Sequence, residues 1–259
     1  MSDVVAEETG YDVRQAARSV FNGLTVGRAR GFVQTNVVLL PRDHAADFET
    51  YCRANPAACP LLAVGVAGDP GLPSLGRDID LRTDLPAYLI HEGGAARRVD
   101  EITSCWRGDL VSFAIGCWFS AEAALAAAGI RMRHVELGIQ GPLFRTDRQT
   151  IAAGPFHGPL VVSMRPFARQ DVATVTAITG RLPRSHGAPL HAGDPAALGI
   201  DDPDHPDWGE ALRPTKDETA LFWACGLTAL AAIEAAQLPF FITHAPGAML
   251  VTDLEESAS

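Results

Sequence analysis

Three patterns are missing from this chain, and each absence removes a class of function. Basic clusters are the first. The formal net charge is −10, and the nearest approach to a basic run is Gly27-Arg28-Ala29-Arg30. A phosphate backbone is gripped by clustered lysine and arginine, so nucleic acid is not an expected partner. Long uninterrupted apolar runs are the second. No stretch is suited to span a bilayer, and the acidic segment Met1–Glu8 lacks the charged-then-apolar layout of a secretory leader. No membrane partner is expected. Paired cysteine motifs are the third. Cys52, Cys59, Cys105, Cys117 and Cys225 are odd in number and never form Cys-x-x-Cys. That argues against a disulfide framework and a zinc ribbon, and for reduced thiols in a cytoplasmic protein.

What is present reads as strands alternating with helices. Helices are predicted over Tyr11–Phe21, Asp43–Asn55 and Asp171–Thr179, with Asp43 as an N-cap and Phe48 and Tyr51 facing the core. Strands are predicted over Gly31–Leu40, Leu61–Val66, Ala87–His91, Val135–Phe144, Pro159–Arg165, Phe240–His244 and Met249–Thr252. Asp69–Pro86 is rich in glycine, proline and aspartate and reads as a long surface loop. The expected fold class is α/β. Its expected form is a mixed-sheet domain built from residues 1–145 with 215–259, and a smaller α+β insert over 146–214.

Two segments share one layout. Leu110–Gly116 leads through Cys117 and Ser120 into an alanine-rich helix. Ala220–Ala224 leads through Cys225 and Thr228 into another. Each junction sets a cysteine at a strand end beside a helix N-terminus, with Ser120 and Thr228 as hydroxyl caps. Helix N-termini favour anions and lower a thiol's pKa, so Cys117 and Cys225 are candidate nucleophiles. The opposite reading is that both are buried core thiols. Glu122, just inside the first helix, is a further candidate.

Ser185–Pro195, "SHGAPLHAGDP", concentrates ionisable groups on a segment built to turn. His186, His191 and Asp194 suit acid–base work on a rigid loop. The same residue types also suit metal ligation or plain backbone capping, with Asp194 making an Asx turn before Pro195. Their spacing matches no standard ligand motif, so no metal is expected. Arg165, at a strand end before Pro166, is suited to clamp a carboxylate. Arg82 lies among the alternating charges Asp78, Asp80 and Asp84, and His244 ends an apolar strand.

Eight motifs together resemble the D-glutamate cyclase family of hydro-lyases. They are "QTNVVLLP" (34–41), "NPAACPLL" (55–62), "DIDLRTDLPAY" (78–88), "AGIRMRH" (128–134), "VVSMRP" (161–166), "HGAPLHAGDP" (186–195), "FWACGLT" (222–228) and "ITHAPGAMLVTD" (242–253). The resemblance runs in order along nearly the whole chain from about Arg14. It implies a fold of α/β type and a water-eliminating lyase, with closure of D-glutamate to 5-oxo-D-proline as the named activity. No redox or organic cofactor is implied. On this reading His186 and His191 are acid and base, and Asp194 orients one ring. Cys117 and Cys225 stand at the anion cradles, and Arg165, Glu122, Thr228, His244 and Arg82 are substrate-binding candidates. The expected partner is a small carboxylate or amino acid, with a homo-oligomer left open. Dehydration or hydration of a small hydroxy or amino acid by the same acid–base pair, and non-catalytic carboxylate binding, are the alternatives. The chain departs from the family at Trp118, Ala121, Leu230 and Ala248. The family tends to have a serine where Trp118 stands, so a less polar or differently shaped substrate is expected.

Overall fold

A computed structural model describes residues 8–256. The acidic N-terminal stretch therefore lies outside the described residues, except for Glu8. Eleven strands and six α-helices follow in order. The strands are β1 (Phe32–Pro41), β2 (Leu61–Val64), β3 (Tyr88–Glu92), β4 (Ala95–Val99), β5 (Leu110–Gly116), β6 (Leu143–Gln149), β7 (Pro159–Ala168), β8 (His191–Ala192), β9 (Glu218–Ala224), β10 (Phe240–His244) and β11 (Leu250–Glu255). The helices are α1 (Gly10–Ala17), α2 (Arg42–Ala54), α3 (Glu122–Ala127), α4 (Arg133–Leu137), α5 (Val172–Thr179) and α6 (Leu227–Ala235). No helix is long and apolar enough to cross a membrane among the described residues.

The architecture mixes helices with two sheets, in keeping with the expected α/β class. One sheet has seven strands in the order β2-β5-β1-β10-β3-β4, with β11 also paired to β1. The other has four, in the order β6-β7-β9-β8. Every pairing is antiparallel. β1 lies deep inside the first sheet, so eight of its ten positions are buried. That explains why the apolar run "VVLL" does not alternate, and why Gln34, Thr35 and Asn36 beside it are buried as well.

The core crosses from one sheet to the other. Phe48 and Tyr51 of α2 are fully buried, as their spacing predicts. Phe48 meets Phe113 of β5 edge-on at 4.9 Å and Phe156 at 5.1 Å. The same cluster takes in Val161 of β7, Ala224 of β9 and Ile233 of α6. Burying each phenylalanine stabilises the fold by about 1.5–3 kcal/mol. The two sheets are thus bound through one apolar layer.

Several local expectations are corrected. Val135–Phe144 is not one strand. α4 ends where Gly138 turns left-handed (φ 63°), Gly141 turns again (φ 77°), and β6 starts only at Leu143. Asp43 does not cap α2, because Pro41 holds that position. Ser120 and Thr228 do not cap their helices either. The Ser120 hydroxyl accepts from the Gln34 N–H at 2.8 Å, which ties the Cys117 turn to β1. The Thr228 hydroxyl accepts from the Val161 N–H at 3.0 Å, which ties α6 to β7. β4 went unforeseen. It forms a hairpin with β3 over Gly93-Gly94, both at positive φ.

Candidate active site

Two glycines let three chain segments converge. A Cβ on Gly116, the last residue of β5, would fall on the carbonyl oxygen of Arg184. The approach of backbone to backbone draws the His186 loop against the end of β5. A Cβ on Gly226 would fall on the Asn36 side-chain amide. Asn36, on β1, donates from Nδ2 to the carbonyls of Gly116 (2.8 Å) and Ile115 (3.3 Å). One asparagine therefore touches both strand–cysteine–helix junctions and fixes their separation.

Between them lies a narrow cleft with a free volume of about 30 Å³. Its wall includes Asn36, Cys117, Trp118, Ser163, Arg165, His186, Cys225 and His244. Neither aspartate nor glutamate belongs to that wall among the described residues.

Arg165 dominates the electrostatics. It is 2% exposed, and no carboxylate lies within ion-pair distance of it among the described residues. Nη1 donates to the Met164 carbonyl at 2.8 Å, and Nε has no hydrogen-bond partner. Burial pulls its pKa below the usual arginine value. The Ser163 hydroxyl and the Trp118 indole N–H are likewise buried without partners. Each unmet buried polar group costs about 1–3 kcal/mol. The three residues that carry them all line the one cleft, and the positive charge among them makes an anion the fitting ligand.

Two imidazoles and two thiols complete the wall, all uncharged at neutral pH. Burial lowers His186 to a pKa of about 4, although Nδ1 lies 2.9 Å from the Ala57 carbonyl. His244 is lowered to about 4 for the same reason, with Nδ1 3.3 Å from the Val37 backbone. Burial pushes Cys117 up to about 12 and Cys225 up to about 11. The helix N-termini beside them do not offset this desolvation. Of the two readings of these cysteines, desolvation favours neutral buried thiols over activated thiolates.

The Ser185–Pro195 loop divides. His186 takes a left-handed φ of 71° and points into the cleft wall, followed by Gly187 at φ 70°. His191 does not join it. Its Nε2 lies 2.7 Å from the Asp194 carbonyl oxygen, and its ring packs on Phe222. The Asp194 carboxylate accepts from the Ala196 N–H at 3.0 Å, as an N-cap before Pro195. The expected pairing of His186 with His191, oriented by Asp194, is therefore not made. Each of those two groups meets a backbone partner inside its own turn.

Thr228 serves the helix–sheet contact already described and stays out of the cleft. Arg82 pairs with Asp80 at 2.6 Å on the long loop, away from the cleft wall. Glu122 sits behind the wall. It accepts from the Gly27 N–H at 2.9 Å and meets His134 Nε2 at 3.1 Å. Burial raises its pKa to about 7.

Sequence reasoning passed over Asn36, Ser163 and His134 as site residues, and singled out Trp118 only as a departure from the resemblance. The first two lie inside apolar strands, where a lone polar side chain was the available signal. The centroid of Trp118 lies 5.3 Å from those of both His134 and Trp223.

The D-glutamate cyclase family profile matches residues 111–253. A protein of Verminephrobacter eiseniae named "Putative hydro-lyase" is 50% identical over 96% of this chain and 92% of its own length. One of the same name from Azorhizobium caulinodans is 48% identical over 96% and 93%. The chain belongs to the D-glutamate cyclase family. Among solved structures, it aligns with a nitrogen repressor-like protein of Methanococcus jannaschii at a TM-score of 0.40 and 9% identity, over 94% of this chain and 98% of that one. Likeness at that level carries no functional argument.

Proposed function

We propose that the protein is a lyase of the water-eliminating class acting on a small carboxylate, and that lactam closure of the D-glutamate type is its reaction. The observation that carries this reading is the buried, carboxylate-free Arg165 in a cleft with two neutral imidazoles. The hydro-lyase names of its relatives and the family profile support it.

Lactam closure needs a neutral amine, a carboxyl group freed of its charge, and a proton for the departing oxygen. Arg165 would hold the spectator carboxylate, with the Ser163 hydroxyl and Trp118 N–H as further donors. His186 and His244 are the groups placed to carry protons. The ammonium proton passes to the distal carboxylate, leaving a neutral amine and a carboxylic acid, and one neutral ring then takes a proton from the nitrogen as it bonds to the distal carboxyl carbon. A protonated ring then returns one as the C–O bond breaks and water leaves. The thiols stay protonated and act as weak donors. Little space is free in the cleft, so a glutamate-sized ligand enters by shifting side chains such as Trp118.

Dehydration of a hydroxy acid would use the same proton carriers. An amine assay separates the two. With D-glutamate as substrate, primary amine should disappear as product accumulates. Steady amine with appearance of an alkene carboxylate would favour dehydration, and no change with any small acid would remove the enzymatic reading.

A further inference from the structure

The cleft offers a cation and no anion. Arg165 supplies the cation, from β7. The nearest carboxylates are engaged elsewhere. Glu122 is held behind the wall by Gly27 and His134, and exposed Glu210 receives the Gly141 N–H at 3.3 Å. The acceptors left in the wall are neutral: the Asn36 amide oxygen, Gln140 and the two imidazoles. An ammonium group entering this space is desolvated and repelled by the guanidinium, with no charge to pair with.

We infer that this site binds an amine-free monoanion, of which a lactam carboxylate is the fitting case, more tightly than the matching amino acid, whose ammonium group it admits only at a cost. The inference rests on the reading of Arg165 as a carboxylate anchor. It extends that reading to the rest of the ligand. A wall of this charge also favours the neutral amine over its ammonium form. That is the form in which the nitrogen lone pair is free to attack, so the same feature serves the closure step.

The test is calorimetric titration of the full chain at neutral pH with two matched pairs. 5-Oxoproline against proline compares rings of one size with and without a charged nitrogen. 2-Hydroxybutyrate against 2-aminobutyrate does the same for an open chain. Both enantiomers of each are titrated. In each pair, the better enantiomer of the amine-free acid should bind at least about tenfold more tightly, equivalent to about 1.4 kcal/mol. Equal or tighter binding of the amino acid in both pairs would overturn the inference. Arg165→Met and Ser163→Ala tell that failure from failure of the underlying reading. If the amino acids win but binding still collapses in Arg165→Met, the anchor stands and the selectivity falls. If nothing binds the wild type, or binding ignores Arg165, both fall. The wild-type comparison decides the selectivity even if a variant does not fold.

Discussion

The Arg165 guanidinium carbon lies 5.2 Å from the centroid of the Trp118 ring. The indole provides a face for the cation while both side chains keep a donor free. A cation–π contact of this kind contributes about 0.5–2 kcal/mol. It partly offsets the cost of burying an unpaired charge, and it aims the guanidinium without consuming all its hydrogen-bond capacity.

Arg165→Met should separate stability from activity. Removing a desolvated charge in favour of an apolar side chain of similar length leaves the melting temperature unchanged or higher. Losing the charge-assisted hydrogen bonds should raise KM by about 10–100-fold. Arg165→Lys should rescue only part, because the ammonium has no planar fork. A fall in melting temperature with KM unaltered would identify Arg165 as a structural residue instead.

The two loop histidines should behave differently. His186→Asn should lower kcat by about 10²–10⁴-fold, the usual loss for a proton carrier. Asparagine tolerates the left-handed backbone at that position, so melting should change little. His191→Asn should retain near-normal kcat, since that ring only meets its own turn. Paired kcat and melting measurements decide. Equal losses for both variants would contradict the division of the loop.

Neither cleft thiol should react readily at neutral pH. With Cys117 at about 12 and Cys225 at about 11, the thiolate fraction is far below that of free cysteine. Alkylation by iodoacetamide, followed by mass spectrometry, should run about two orders of magnitude slower than for free cysteine. Fast labelling at either position, or a trapped thioester, would restore the nucleophile reading.

Stability should rise as pH is raised from about 4.5 to 6.5. Unfolded imidazoles titrate near 6.5. His186 and His244 are held near 4 and His134 well below its usual value, all by burial. In this window the unfolded chain binds protons that the folded chain does not, so stability is present above about 6.5 and is lost as pH falls. Glu122, raised to about 7, works in the opposite sense, and Glu256 is also raised. Three imidazoles outweigh two carboxyls. Glu122→Gln should make the climb steeper. A melting temperature that is flat or falls across the window would contradict these directions.

Local structure was legible wherever one segment carried its own signal. The turn of α2 with Phe48 and Tyr51 on one side, and the apolar runs of β1, β5 and β10, needed no partner to be read. The apolar run at 135–144 misled because its interrupting glycines, Gly138 and Gly141, weigh less than β-branched and aromatic residues in a period count. The site was harder. Cys117, Arg165, Cys225 and His244 were singled out, and the fold brings them to one cleft. His186 and His191 are five residues apart, yet consecutive left-handed residues at 186 and 187 turn the chain, and His191 leaves on β8. Asn36, Ser163 and Trp118 gain their meaning only from what β1, β5, β7 and β9 bring to them, which spacing along one chain does not contain.

The most direct test of the central claim is mass spectrometry of D-glutamate and L-glutamate incubated with the wild type and with Arg165→Met. The expected result is a product lighter by one water, formed from the D-enantiomer by the wild type and strongly reduced in the variant. No such product from either enantiomer, or undiminished product without Arg165, would contradict the account.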